Sequence, residues 1–96
     1  VLELLTHGGE WVPVETEPGV LVVDTGDMMR YLTAGRMPAT THRVVNPTAA
    51  DGGRLSLPCF VHPRREVMLT PPDPSFGPAI SAGDLLDQRL RENGVL

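Results

Sequence analysis

The sequence predicts a mainly β domain, an antiparallel sandwich or barrel of short strands with one C-terminal helix. Three observations carry that prediction. Five to seven short segments rich in β-branched and apolar residues recur at close spacing. Ten Gly and ten Pro in 96 residues punctuate them. Helix-start and helix-stop signals frame a single long stretch, at the C-terminal end. The segments are too closely linked for strand–helix–strand units. A composition of 41% apolar and 21% charged residues is that of a globular chain, not a disordered one.

Val1 to Leu5 alternates weakly and reads as a strand. Thr6 to Glu10 holds a Gly pair, which supplies positive φ without steric cost, and reads as a turn. Trp11 to Glu15 is the returning strand, and Pro13, which lacks an N–H, marks it as a sheet edge. Glu17-Pro18-Gly19 is a second turn. Val20 to Val23 is a continuous β-branched run and is expected as a buried strand. Asp24 to Thr33 is expected to hold one or two helical turns, with Asp27 as their cap and Gly35 closing them. Thr40 to Val45 is the next strand, ended by Asn46-Pro47. Ala49 to Gly53 is a loop. Arg54 to Val61 is expected as a strand with an irregularity at Pro58, a bulge for example. Glu66 to Thr70 is a short strand. Thr70 to Pro78 contains four prolines and reads as a surface connection. Ser81 and Asp84 fit a capping box, and Asn93-Gly94 is a stop signal. A helix of about ten to twelve residues lies between them, with an apolar stripe narrow enough to cover a surface rather than fill a core.

Charge and composition exclude several classes of function. A net charge of −4 gives no electrostatic footprint for a nucleic-acid partner. One Cys rules out an internal disulfide framework and a thiolate zinc site. No apolar run approaches the roughly 20 residues of a membrane-spanning helix, and no signal peptide is visible. A reducing, cytoplasmic compartment and no membrane partner are therefore expected. The chain opens at Val1, without Met, directly into an apolar run, so a fragment of a longer protein is expected.

Polar residues on segments that otherwise read as buried are the informative ones. His42 sits between β-branched neighbours. It can be a cross-strand histidine satisfied by a carbonyl, or a metal ligand through a neutral imidazole nitrogen. Arg54 and Ser56, two apart on one strand, share a face roughly 6.6 Å apart. Together they can grip one carboxylate, the guanidinium with two parallel N–H donors and the hydroxyl with a third. Equally, the Arg can reach the rim while the Ser fills space. His62 shares their parity but lies about 26 Å along a regular strand from Arg54, and it reads as a strand exit. His7 belongs to a solvated turn. Cys59 reads as a small buried hydrophobe. Trp11 is expected to pack on the sheet, and Met28 and Met29 to join the core.

The order of these signals resembles the C-terminal part of the iron- and 2-oxoglutarate-dependent dioxygenases of the isopenicillin N synthase-like group. The matching residues are Gly26-Asp27-Met28, Thr41-His42-Arg43-Val44-Val45-Asn46-Pro47, Arg54-Leu55-Ser56-Leu57-Pro58-Cys59-Phe60 and His62-Pro63. The tail from Ser81 to Leu86 and Arg89 to Glu92 is similar to that of bacterial members. The resemblance implies the C-terminal portion of a double-stranded β-helix (jelly roll), with its strands in residues 1–80 and its C-terminal helix in 81–96. It implies Fe(II) as cofactor, 2-oxoglutarate as cosubstrate and a small-molecule substrate. By the same likeness, His42 is the distal metal ligand, and Arg54 and Ser56 bind the distal carboxylate of 2-oxoglutarate. The family's His-x-Asp pair is absent: Gly9, Val44 and Arg64 stand two places after His7, His42 and His62. Two of the three metal ligands are therefore expected upstream, in another part of the same protein, and this chain alone is expected to be inactive. Two other readings remain. Some relatives use the Arg-x-Ser pair to hold a substrate carboxylate and need no 2-oxoglutarate. Alternatively, the chain is a non-catalytic β-sandwich that binds a carboxylate or a partner protein.

Overall fold

The computed structural model describes residues 1–46 and 55–96. Among them, β1 (Leu2–Leu5), β2 (Trp11–Pro13) and β3 (His42–Val44) form a three-stranded antiparallel sheet in the order β2-β1-β3, and β4 (Met68–Leu69) and β5 (Ile80–Ser81) form a two-stranded one. Helix α1 spans Asp27–Leu32 and α2 spans Ala82–Glu92. The fold is mainly β with a C-terminal helix, as expected. The chain divides into two compact units. One comprises Val1–Asp24 and Thr40–Pro58, and the other Thr25–Ala39 and Cys59–Leu96.

In the first unit the turn chemistry works as anticipated. Gly9 takes φ +84°, and the Thr6 N–H donates to the Glu10 carbonyl at 2.8 Å to close the hairpin. Strand β2 lies at the sheet edge. Its Val14 N–H donates inward to Leu2 O, so alternation turns the Pro13 nitrogen outward, where no donor is needed. The register pairs Leu2 with Val44, Glu3 with Arg43 and Leu4 with His42. Because strand side chains alternate, Leu2, Leu4, Val12, His42 and Val44 share one face, and Glu3, Leu5, Trp11, Pro13 and Arg43 the other.

Two expected strands are not formed. Val20 to Val23 forms no strand and pairs with nothing in either sheet, with Leu21 and Val23 88% and 87% exposed. Leu55 to Val61 is likewise outside any strand, so Pro58 makes no bulge, and Leu55 and Leu57 are 98% and 97% exposed. Apolar β-branched composition signals a demand for burial, but no described strand covers these segments. Cys59, expected inside, is exposed for the same reason. The 49–53 loop and Arg54 lie outside the described residues. The strand expected over 40–45 is trimmed to His42–Val44.

The second unit holds the core. Leu69, Ala82 and Leu85 are buried, with Met28, Tyr31 and Ile80 packed against them. Helix α2 thus supplies two of these three buried side chains, more than its narrow stripe predicted. Its Ser81 cap accepts from the Asp84 N–H at 3.1 Å, which is half of the expected capping box. Asn93 and Gly94, the latter at φ +75°, end it. At the start of α1 the cap is Gly26, not Asp27. Asp27 occupies the first turn instead, 3.3 Å from the Arg89 guanidinium. Tyr31 stacks edge-on against Phe76 and donates its hydroxyl to the Pro78 carbonyl. Met29, expected in the core, is 39% exposed.

Candidate metal-ligand site

His42 opens β3, which two flanking backbone hydrogen bonds hold against β1: the Leu5 N–H donates to Thr41 O and the Val45 N–H to Val1 O, at 2.9 and 2.8 Å. These bonds alternate along the strand, so His42 and Leu4 form a non-hydrogen-bonded pair, the kind that brings side chains closest. The imidazole therefore belongs to an otherwise apolar sheet face. Its own side chain remains half-exposed.

The hydrogen bonding of the ring fixes its tautomer. Nδ1 lies 2.9 Å from the Thr40 carbonyl oxygen. A carbonyl only accepts, so Nδ1 carries a proton, and in the neutral imidazole the lone pair is on Nε2. That is the arrangement of a ligating histidine, in which one ring nitrogen donates to the protein and the other is free for a metal. The Asp24 carboxylate stands 3.5 Å from the same Nδ1. Nothing in the spacing of residues 24 and 42 pointed to this pair, since it depends on how the 20–24 segment returns to the sheet.

An imidazole suits iron as well as zinc or copper, so His42 fits the role of one ligand of a two-His-one-carboxylate centre. The described residues contain no group of three or more His, Cys, Asp or Glu side chains able to hold a metal ion. Ser56 stands in an exposed segment of the same unit, outside any strand. Arg54, its expected companion, lies outside the described residues. His62 is exposed, with Nδ1 against the carbonyl of the adjacent Pro63, and His7 is exposed in the β1–β2 turn.

The opposite face of the sheet is organised by residues that the sequence did not single out together. Arg43 Nε donates to Glu3 Oε1 at 2.8 Å, and its guanidinium carbon lies 4.0 Å from the Trp11 ring centroid. Opposite charges on alternating positions of two pairing strands could have flagged the Glu3–Arg43 pair, once the register was known.

The second unit has a separate cleft of about 400 Å³, lined by Tyr31, Phe76, Ile80 and Leu85 with two arginines. Both arginines are already engaged: Arg89 pairs with Asp27 and Glu92, and Arg30 stacks on Phe76.

Residues 1–63 match the family model of the 2OG-Fe(II) oxygenase superfamily. The chain is 42% identical over 59 residues to the 2-oxoglutarate-dependent dioxygenase frbJ of Dothideomycetidae sp. (strain 11243), covering 62% of this chain and 16% of that protein. It is 39% identical over 71 residues to gibberellin 3-beta-dioxygenase 2-2 of Triticum aestivum, covering 73% of this chain and 19% of that one. A crystal structure of a 2OG-Fe(II) oxygenase family protein from Caulobacter crescentus superposes with a TM-score of 0.75 at 34% identity. The superposition covers 95% of this chain and 33% of that one. The chain thus spans less than a fifth of these curated relatives and a third of the solved structure.

Proposed function

Since the chain belongs to the 2OG-Fe(II) oxygenase superfamily, a family of enzymes that use Fe(II) and 2-oxoglutarate, we propose that it is the C-terminal part of a dioxygenase that oxidises a small organic substrate. In this reading its strands belong to a jelly roll and its helix, 81–96, closes the domain. His42 is one metal ligand. Arg54 and Ser56 bind the far carboxylate of 2-oxoglutarate, and an upstream part of the same protein supplies the remaining His and carboxylate. When bound, the iron supplies the oxidising chemistry, coupling 2-oxoglutarate decarboxylation to attack on a substrate C–H bond.

The observation that carries this reading is the tautomer of His42. The Thr40 carbonyl engages Nδ1, so in the neutral ring Nε2 is the nitrogen left for a metal. The chain's own residues then have limited tasks. His42 presents a neutral nitrogen, Leu2, Leu4, Val12 and Val44 keep its sheet face apolar, and the Arg54–Ser56 pair neutralises and orients a dicarboxylate.

The test is an Fe(II) titration, first of this chain and then of the full-length protein, with succinate release measured during turnover. Tight binding only in the longer protein, with succinate formed in step with product, is the expected result. Iron-dependent turnover without succinate would favour a relative that grips a substrate carboxylate in the Arg54–Ser56 clamp. A second reading, a non-catalytic carboxylate- or partner-binding module, is favoured for the chain alone by the lack of any three-ligand group among the described residues. Failure of both forms to bind iron would select it.

A further inference from the structure

Three side chains on the face opposite His42 form one connected bracket across all three strands of the sheet. Arg43 is the next residue after the ligand, and alternation places it on the other side of the pleat. From β3 its side chain crosses β1, where Glu3 is its register partner and accepts from Nε at 2.8 Å. It ends on Trp11 of β2, with the guanidinium carbon 4.0 Å from the ring centroid. Two strand spacings are roughly 9–10 Å, a span that only a long side chain bridges. Glu3 is mostly covered and Arg43 about half-covered, so this charge pair is less open to solvent than an ordinary surface one. The planar guanidinium matches both a carboxylate and an aromatic face, whereas an ammonium matches the ring only as a point charge.

The consequence concerns the neighbouring residue. β3 is only three residues long and is an edge strand among the described residues. Backbone pairing alone leaves so short a strand free to slip or twist, and a slip of one residue would turn His42 to the wrong face. We propose that Arg43, held by Glu3 and seated on Trp11, is a positioning residue that fixes the register and pose of His42 for metal binding. The proposal rests on His42 being a ligand.

The experiment uses the full-length protein and Co(II) as a spectroscopic stand-in for Fe(II). Metal affinity and the Co(II) visible spectrum are measured for Arg43→Ala, Arg43→Lys, Glu3→Gln, Trp11→Leu and Trp11→Phe, with His42→Ala as reference and the melting temperature of each metal-free protein as the folding control. Arg43→Ala and Trp11→Leu are expected to weaken metal binding about ten- to a hundredfold, the range for groups that orient a ligand, and to shift the Co(II) bands. Trp11→Phe, which keeps an aromatic face, is expected to restore most of the affinity. Arg43→Lys and Glu3→Gln, the mildest changes, are expected to fall between and to leave melting nearly unchanged. Unaltered affinity and spectrum in folded Arg43→Lys and Glu3→Gln would overturn the proposal while His42→Ala still lost the metal. Full metal binding by His42→Ala would instead overturn the ligand assignment itself.

Discussion

At His42 the location of one proton decides what the side chain can do. With Nδ1–H committed to Thr40 O, the neutral ring can act as a ligand or an acceptor only through Nε2. In the full-length protein, His42→Ala is expected to abolish Fe(II) retention and turnover, read by anaerobic titration and product formation; an iron-replete, active variant would refute the assignment. Arg54→Ala is expected to weaken 2-oxoglutarate by roughly 2–4 kcal/mol, about 30- to 1,000-fold in apparent affinity, the scale for removing one partner of a charge-assisted pair. An unchanged apparent affinity would remove the clamp. At this scale the sequence was legible where a residue's meaning came from its chain neighbours, as with His42 inside a β-branched run. It was silent where meaning came from a distant partner. Asp24 beside the imidazole and Trp11 beneath Arg43 depend on long-range placement that no local spacing encodes.

Helices and turns carry their instructions locally, which is why they were the most readable elements. Ser81 was legible as a cap because its hydroxyl needs only the N–H three residues on. Ser81→Ala is expected to cost about 1 kcal/mol, checked by thermal melting of the unit that α2 forms with its core partner Leu69. Gly77 was less obvious. A Cβ there would fall 2.5 Å from the Tyr31 hydroxyl, which is already tied to Pro78 O. Gly77→Ala is therefore expected to lower the melting temperature by displacing Tyr31 from Phe76, and Tyr31→Phe in the same background should recover part of the loss. The second unit also has a pH signature. The Arg65 guanidinium, bonded to Asp87 at 2.7 Å, holds that carboxyl below its ordinary range, as Arg89 does for Glu92 and Ser75 for Asp73. A carboxyl depressed in the folded state favours folding above its unfolded pKa, and that contribution fades as pH falls through the folded value. Melting temperature should thus hold steady from neutral pH to the ordinary carboxylate range and decline below it. Asp87→Asn should shrink the decline; an identical pH profile in that variant would show that the pair is energetically silent. Strands were the least legible elements. Val20–Val23 reads as buried because its side chains demand cover, yet composition names the demand and not the covering partner.

For the molecule as a whole, that unmet demand is the main physical fact. Leu21, Val23, Leu55, Leu57, Phe60 and Val61 are all largely exposed, apolar side chains left without cover by the described residues. On its own the chain is expected to self-associate or bind a hydrophobic dye, measured by sedimentation and dye fluorescence. A monodisperse chain with a single cooperative melt would contradict this. The three-stranded sheet adds a direction to any such association. Pro13 offers no N–H to the outer side of β2, whereas on β3 the peptide groups of His42 and Val44 face away from β1. Among the described residues the β2 flank thus offers one donor fewer than the β3 flank, and a strand pairing with β3 would dock on the peptide units of His42 itself. Recruitment of such a strand would grip the same stretch of backbone that carries the imidazole, so completing the sheet on this side and steadying the ring would be one event.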